Sequence, residues 1–276
     1  MTVLISADQL ARDLTGDRPP VVLDVRWALG GPPGHGEYLK GHVPGAVYVD
    51  LDSELASHGE HTDGRHPLPD VADLQASARR WGIGPGDTVV AYDGAGNLAA
   101  ARAWWLLRWA GLPDVRLLDG ALPAWIAAGG ALATDDVRPE PGTVELTGGN
   151  LPTLDLDTVA GLPDTGGVLL DARAPERFRG ETEPIDPKAG HIPGATSAPT
   201  GANLDADGFF LPAAQLRDRF EGLGATAGTP VGVYCGSGVT AAHQAAALAV
   251  AGLDAALYPG SWSQWSNHDR PVATGA

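Results

Sequence analysis

The sequence contains very little cysteine and little positive charge. Cys235 is the one cysteine in 276 residues, which excludes an intramolecular disulfide framework and a metal site built from several cysteines. The chain carries 18 Lys and Arg residues against 34 Asp and Glu residues, a formal net charge of −16. This charge disfavours nucleic acid and anionic membrane surfaces as partners.

Long apolar runs are missing as well. No uninterrupted apolar stretch approaches the length of a membrane span. The first eight residues lack the basic region and the long apolar region of a secretion signal. A lone thiol fits a reducing compartment, and we expect a cytoplasmic protein. An apolar content of 43% and a charged content of 19% are ordinary for a globular protein, and the length suits two domains.

The chain is an internal duplication. Four segments of the first half recur in the same order in the second half, which chance would rarely produce. The matched pairs are Val21–Arg26 with Val168–Arg173, Gly41–Ala46 with Gly190–Ala195, Thr88–Gly94 with Pro230–Gly236, and Gly120–Trp125 with Gly260–Trp265.

Each half alternates short apolar runs with helical stretches. In the first half the runs at Val21–Asp24, Val89–Tyr92 and Val115–Leu118 predict strands, and the spacing over Leu98–Trp109 predicts a helix. Such alternation indicates an α/β fold with a parallel sheet between helices. Prolines and glycines after residue 133 predict a connector. We place the boundary near residue 140, which gives domains of residues 1–140 and 141–276.

The surroundings of Cys235 are those of a nucleophile. A short apolar strand leads into Cys235, and Gly236, Ser237 and Gly238 form a turn before an alanine-rich helix. The backbone N–H groups of this turn and the helix N-terminus should point at the sulfur and favour a thiolate or a bound anion. The first half has Asp93 at the equivalent position, so we expect one reactive site, in the second half.

A basic stretch in the second half is a candidate anion site. It lies after the predicted strand that ends at Asp171, and as a group its side chains could hold a carboxylate or a sulfur oxyanion. Its cationic residues are Arg173, Arg177, Arg179 and Lys188.

Together these features resemble the tandem-domain rhodanese (sulfurtransferase) family over nearly the whole chain. The loop from Cys235 to Thr240 looks like that of 3-mercaptopyruvate sulfurtransferases. The resemblance implies two rhodanese folds, the first catalytically inert, and no cofactor or metal. It also implies that Cys235 takes sulfur from 3-mercaptopyruvate as a persulfide, with release of pyruvate. Cyanide, a small thiol or reduced thioredoxin then removes that sulfur.

The resemblance also assigns roles to individual residues. Ser237 matches a loop serine that forms a proton relay with a histidine and an aspartate of the first domain, here His66 and Asp52. Arg177 matches an arginine that binds the substrate carboxylate. Apart from the resemblance, Trp27 is a candidate by its place in the sequence, because it follows the first Asp-x-Arg strand at a loop that could overhang the sulfur. The remaining residues expected to bind substrate are Gly236, Gly238, Val239, Thr240, Arg179 and Lys188.

One position departs from the pattern of the mercaptopyruvate enzymes. Their second arginine, in a Glu-Pro-Arg segment, is replaced here by Ile185. The loss of one charge-assisted contact should weaken carboxylate binding by roughly 1.5–3 kcal/mol, unless Lys188 or Arg179 substitutes. Thiosulfate as the main donor therefore stays an alternative.

Three other functions fit the sequence less well. The first is a dinucleotide-binding oxidoreductase, because Gly94–Ala99 fits the glycine-rich fingerprint of such enzymes. Gly236–Ala241 fits the fingerprint equally well, and both segments lie deep in their halves, whereas a fingerprint usually opens its fold. We therefore disfavour this function. A cysteine phosphatase needs an arginine where Ala241 stands. A non-enzymatic rhodanese-like binding or regulatory module is disfavoured by Cys235 with its intact loop.

A histidine metal site is also disfavoured, because His58, His61 and His66 are too irregularly spaced to indicate one.

Overall fold

The computed structural model describes residues 2–276 and divides the chain into two compact units. The first contains the chain up to Ala56, Pro69–Asn150 and Ala206–Phe210. The second contains Ser57–Leu68, Leu151–Asp205 and Leu211–Ala276. Within the described residues no helix is long and apolar enough to cross a membrane.

The main division between the units falls after Asn150, beyond the residue 140 that the composition suggested. Backbone hydrogen bonds explain this position. The N–H of Gly142 donates to the carbonyl of Arg79 at 2.7 Å, and the N–H of Asn150 donates to the carbonyl of Trp109 at 3.0 Å. The proline-rich connector therefore lies on the first unit instead of ending it.

A segment from the first half of the sequence, residues 57–68, belongs to the second unit. The N–H of Arg65 donates to Ser263 Oγ at 3.1 Å, and Gln264 Nε2 donates to the carbonyl of Thr62 at 3.1 Å. No sequence pattern indicated this assignment. It places His66 in the same unit as Cys235.

The first unit is built on a parallel sheet. Among the described residues this sheet has five strands in the order β1–β5–β4–β2–β3. The strands are β1 Leu4–Ile5, β2 Val21–Asp24, β3 Val47–Tyr48, β4 Val89–Tyr92 and β5 Val115–Leu118. The helices are α1 Ala7–Asp13, α2 Gly34–Tyr38, α3 Leu51–Glu54, α4 Val71–Arg80, α5 Ala100–Trp109 and α6 Ala121–Ala127.

The three predicted strands of this unit are confirmed with the same bounds. The predicted helix begins at Ala100 instead of Leu98. The Asp93 carboxylate accepts hydrogen bonds from the N–H groups of Asn97 and Ala100, and Asn97 has a left-handed φ of 66°. These contacts hold the residues before Ala100 as a turn.

The second unit repeats this plan. Over the described residues its parallel sheet has four strands in the order β7–β6–β8–β9. The strands are β6 Val168–Asp171, β7 Thr196–Ser197, β8 Val231–Tyr234 and β9 Ala256–Leu257. The helices are α7 Leu156–Gly161, α8 Pro175–Phe178, α9 Ala213–Gly222, α10 Val239–Val250 and α11 Ser261–Trp265. The predicted α/β class, with two parallel sheets flanked by helices, is confirmed.

The duplication is also visible in the strand register. β2 pairs with β4 so that Asp24 lies beside Tyr92, and β6 pairs with β8 so that Asp171 lies beside Tyr234. Asp93 and Cys235 therefore follow equivalent strands at equivalent positions. Each residue begins a loop at the carboxyl edge of its own sheet, where ligand sites of parallel sheets form.

Candidate active site

Cys235 is the first residue after β8 and is only 2% exposed. Its backbone is fixed on both sides by the start of α11. The N–H of Cys235 donates to Ser261 Oγ at 3.1 Å, and its carbonyl accepts the N–H of Trp262 at 3.0 Å. These two contacts fix the backbone of Cys235 and do not use its sulfur atom.

The loop after Cys235 directs a hydrogen-bond donor at its sulfur. Gly238 has a φ of 80°, a left-handed conformation that favours glycine. Its N–H donates to Cys235 Sγ at 3.1 Å. Val239 and Thr240 then form the first turn of α10, a helix of 12 residues. A donated N–H at the N-terminus of a helix stabilises a thiolate or a bound anion.

Ser237, two residues after Cys235 in the same loop, forms a buried pair with His66. Ser237 Oγ lies 2.7 Å from His66 Nδ1, and the two residues are 7% and 8% exposed. A hydroxyl and an imidazole at this distance can pass a proton between them. The structure therefore brings together two of the three residues expected in the relay.

The third relay residue, Asp52, lies on α3 of the first unit. There the indole Nε1 of Trp27 donates to both of its carboxylate oxygens at 3.0 Å. Trp27 and Asp52 thus form a pair within that unit. Their roles toward the sulfur stay predictions.

Arg177 projects from α8 toward the loop that carries the cysteine. Its Nη2 donates to Glu183 Oε1 at 2.6 Å and to Asp186 Oδ2 at 3.4 Å. A Cβ atom added to Gly236 would lie 3.4 Å from Arg177 Nη1. The guanidinium group is therefore anchored on one edge by buried carboxylates and lies against the active loop on the other.

A second guanidinium group, from Arg65, lies against the same glycine. A Cβ atom on Gly236 would be 3.1 Å from Arg65 Nη2. Arg65 Nη1 forms an ion pair with Asp186. Arg65 is not among the predicted site residues, although it directly precedes the predicted relay residue His66 in the sequence.

Asp186 connects the two arginines. Its side chain is 3% exposed and contacts Arg65 through Oδ1 and Arg177 through Oδ2. Burial raises the pKa of Asp186, the two arginines oppose this rise, and Glu183 adds to it. One buried carboxylate thus fixes the separation of two cations above the loop.

The other predicted cations have different contacts. Arg179 Nε donates to Glu181 Oε1 at 2.7 Å, and Lys188 Nζ donates to the carbonyl of His268 at 2.6 Å. Arg173 Nη2 donates to Asp171 Oδ2 at 2.6 Å, and its guanidinium group stacks 4.6 Å from the centre of the Trp262 ring. Arg65, rather than Arg179 or Lys188, accompanies Arg177 at Gly236.

A cavity of about 570 Å³ lies beside this cluster. Its walls include Arg65, Asp186, Ile185, Ser263 and Asn267. Because Arg65 also lies at Gly236, its side chain links the cavity to the active loop. The volume is sufficient for a small organic acid.

In the equivalent loop of the first unit, the side chain of Asp93 fills the space beneath the backbone N–H groups. Asp93 is 3% exposed, and its carboxylate accepts four backbone N–H groups at 2.8 to 3.1 Å. Burial raises the pKa of Asp93, and the four donors oppose the rise. The N–H groups that would cradle an anion or a thiolate are therefore already occupied.

Comparison with known proteins agrees with these observations. The sequence model of the rhodanese-like domain family matches this chain twice, over residues 6–128 and residues 155–268. A Mycobacterium tuberculosis protein, provisionally named thiosulfate sulfurtransferase SseB, is 51% identical over 99% of this chain and 97% of its own. A Pseudomonas aeruginosa protein, provisionally named a 3-mercaptopyruvate sulfurtransferase, is 47% identical over 99% of this chain and 98% of its own.

A solved structure gives the same result. The crystal structure of the 3-mercaptopyruvate sulfurtransferase SseA from Escherichia coli matches with a TM-score of 0.84 and 30% identity, over 95% of this chain and 99% of that one. Both halves of the sequence, the two parallel sheets and the loop around Cys235 are thus accounted for by one family. The chain belongs to the rhodanese family, with two rhodanese-like domains, and is a sulfurtransferase.

Proposed function

We propose that the protein moves a sulfur atom from 3-mercaptopyruvate to a thiophilic acceptor through a persulfide on Cys235. The observation that carries this proposal is the Ser237–His66 pair at 2.7 Å, two residues along the loop from a thiol that accepts the Gly238 N–H. A thiolate nucleophile and an adjacent proton carrier are the two groups that this donor requires.

In the first step the Cys235 thiolate attacks the sulfur of 3-mercaptopyruvate. The new S–S bond forms as the C–S bond breaks, and the electron pair of that bond goes to carbon as the enolate of pyruvate. The carbon then takes a proton, which the Ser237–His66 pair supplies or relays. The substrate carbon is reduced as both sulfur atoms of the new S–S bond are oxidised, so the step needs no external oxidant or reductant.

In the second step the acceptor attacks the outer sulfur of the persulfide. Cyanide yields thiocyanate, a thiol yields its own persulfide, and in both cases the Cys235 thiolate is regenerated. A small thiol or reduced thioredoxin would serve as the thiol. The Gly238 N–H and the N-terminus of α10 stabilise the thiolate that leaves.

Thiosulfate is the second candidate donor, because Ile185 replaces an expected arginine and is exposed. Attack of Cys235 on its outer sulfur expels sulfite, which leaves as a stable anion and needs no proton. The two donors therefore differ in their need for the Ser237–His66 pair.

Steady-state rates of thiocyanate formation from each donor, with cyanide as acceptor, test the proposal. We expect a higher kcat/KM for 3-mercaptopyruvate and no turnover in Cys235→Ser. A higher kcat/KM for thiosulfate would keep the persulfide and reverse the donor. No turnover with either donor would indicate a binding module.

A further inference from the structure

The two guanidinium groups at the active loop are each paired with a buried carboxylate, and each has another nitrogen close to Gly236. Arg177 uses Nε and Nη2 on Glu183 and Asp186, while its Nη1 faces Gly236. Arg65 uses Nη1 on Asp186, while its Nη2 faces Gly236. In addition Arg65 Nε is buried and has no hydrogen-bond partner within residues 2–276.

We infer that Arg65 is a donor-binding residue, which forms with Arg177 a two-guanidinium site for the anionic group of the sulfur donor. This inference rests on the proposed function, since it names a further residue of the same site. The ligand group is a carboxylate or a sulfonate, because either offers several oxygen atoms on one centre to two separate N–H donors.

The buried carboxylates explain why both arginines can stay in place without a ligand. Glu183 and Asp186 are each 3% exposed in their side chains and together balance the two positive charges. They hold the far edges of the guanidinium groups, so the near edges are preorganised over Gly236. An arriving anion therefore forms charge-assisted hydrogen bonds without first ordering two long side chains.

Arg65 also supplies a positive charge in place of the arginine that the resemblance implies at position 185. The resemblance implies a second cation at the position that Ile185 occupies, and its neighbour Asp186 binds Arg65. The positive charge thus reaches the loop from residues 57–68, the segment that also carries His66. One short segment contributes both an anion-binding group and a proton carrier.

Equilibrium binding of pyruvate tests the inference apart from catalysis. Titration calorimetry is performed on Cys235→Ser, in which sulfur transfer is blocked, and on the same protein with Arg65→Gln added. We expect the second substitution to weaken pyruvate binding by about 10-fold or more, because a charge-assisted contact is lost. The matched control is Arg217→Gln, an exposed arginine of α9 near Glu221, which should leave the affinity unchanged.

Arg65→Lys is the control for a folding defect. Lysine keeps the positive charge but lacks the planar guanidinium group that contacts Asp186 and the loop at the same time. We expect its affinity between those of the parent and Arg65→Gln, with the same thermal unfolding temperature as the parent. In the active protein Arg65→Gln should raise KM for both donors about 10-fold and change kcat less than about twofold.

Three results would each overturn the inference. Cys235→Ser could bind no pyruvate, or the added Arg65→Gln could leave the affinity for pyruvate unchanged. The third is an unchanged donor KM in active Arg65→Gln, which would leave the persulfide mechanism intact. Conversely, pyruvate binding that depends on Arg65, without any sulfur loading, would uphold the anion site and refute the proposed function.

Discussion

Ser237 Oγ and His66 Nδ1 lie 2.7 Å apart, although 171 positions separate the two residues in the sequence. This pair should matter only when the leaving group must be protonated. We expect Ser237→Ala to lower kcat with 3-mercaptopyruvate by roughly 100-fold, the usual contribution of a proton-transfer group. With thiosulfate the same variant should keep its rate within about threefold, since sulfite leaves unprotonated.

Thiosulfate turnover serves as the internal control for that experiment, because it uses the same cysteine and the same acceptor. His66→Gln should show the same selective loss. An equal loss with both donors would mean that the pair supports the loop structurally and carries no proton.

The absence of a side chain at Gly236 is predicted to let Arg65 approach the active loop. A Cβ atom there would lie 3.1 Å from Arg65 Nη2, so the Arg65 guanidinium group would have to shift by a few tenths of an ångström. The same atom would lie 3.4 Å from Arg177 Nη1, at the near limit of ordinary contact. We expect Gly236→Ala to raise the donor KM about 10-fold, the effect of one lost charge-assisted contact. Gly201→Ala is the control, since its added Cβ has no neighbour within 4 Å. Matching KM values for the two variants would contradict the arrangement.

Arg177→Ala should act on donor binding and not on sulfur release. The guanidinium group faces the loop through Nη1, so its loss should raise the donor KM by about 10-fold or more. The single-turnover rate at which cyanide removes sulfur from preloaded enzyme should stay within about twofold of the wild-type rate. Slower release with an unchanged donor KM would remove Arg177 from the donor site.

Asp93 is predicted to stabilise the first unit without taking part in the reaction. Its carboxylate accepts four backbone N–H groups in a buried loop, and Asp93→Ala leaves these donors unsatisfied. We expect the free energy of unfolding to fall by about 1–3 kcal/mol, measured by urea denaturation. Sulfur loading of Cys235 in the folded variant should be unchanged.

The control for Asp93 is Asp70→Ala, because Asp70 precedes α4 on the surface and its side chain makes no capping hydrogen bond. That variant should lose less than about 0.5 kcal/mol. An Asp93→Ala protein as stable as the Asp70 control would show that the loop does not depend on its carboxylate.

Local sequence patterns predicted the fold class, three strands of the first sheet and the turn at the centre of the site. Strands such as Val89–Tyr92 are short apolar runs bounded by turn residues, and the structure confirms their bounds. The glycines around Ser237 predicted a turn that directs an N–H at the cysteine, and Gly238 does so. These features depend on neighbouring residues, which a sequence displays directly.

Long-range electrostatic pairing could not be predicted in the same way. A sequence shows that Arg177, Arg179 and Lys188 are close along the chain, but not which carboxylate or carbonyl each one contacts. Arg179 is paired with Glu181 and Lys188 with the His268 carbonyl. Arg65 reaches Gly236 because residues 57–68 pack within the second unit. This tertiary packing produces no periodic pattern in the sequence.

The most direct test of the account is the mass of the intact protein after brief exposure to 3-mercaptopyruvate, measured for the wild type and for Cys235→Ser. We predict that the wild type gains one sulfur atom, that peptide mapping places it on Cys235, and that cyanide removes it. Cys235→Ser should gain nothing while keeping the same circular dichroism spectrum. A wild-type protein that gains no sulfur, or a Cys235→Ser protein that still gains it, would contradict the persulfide mechanism.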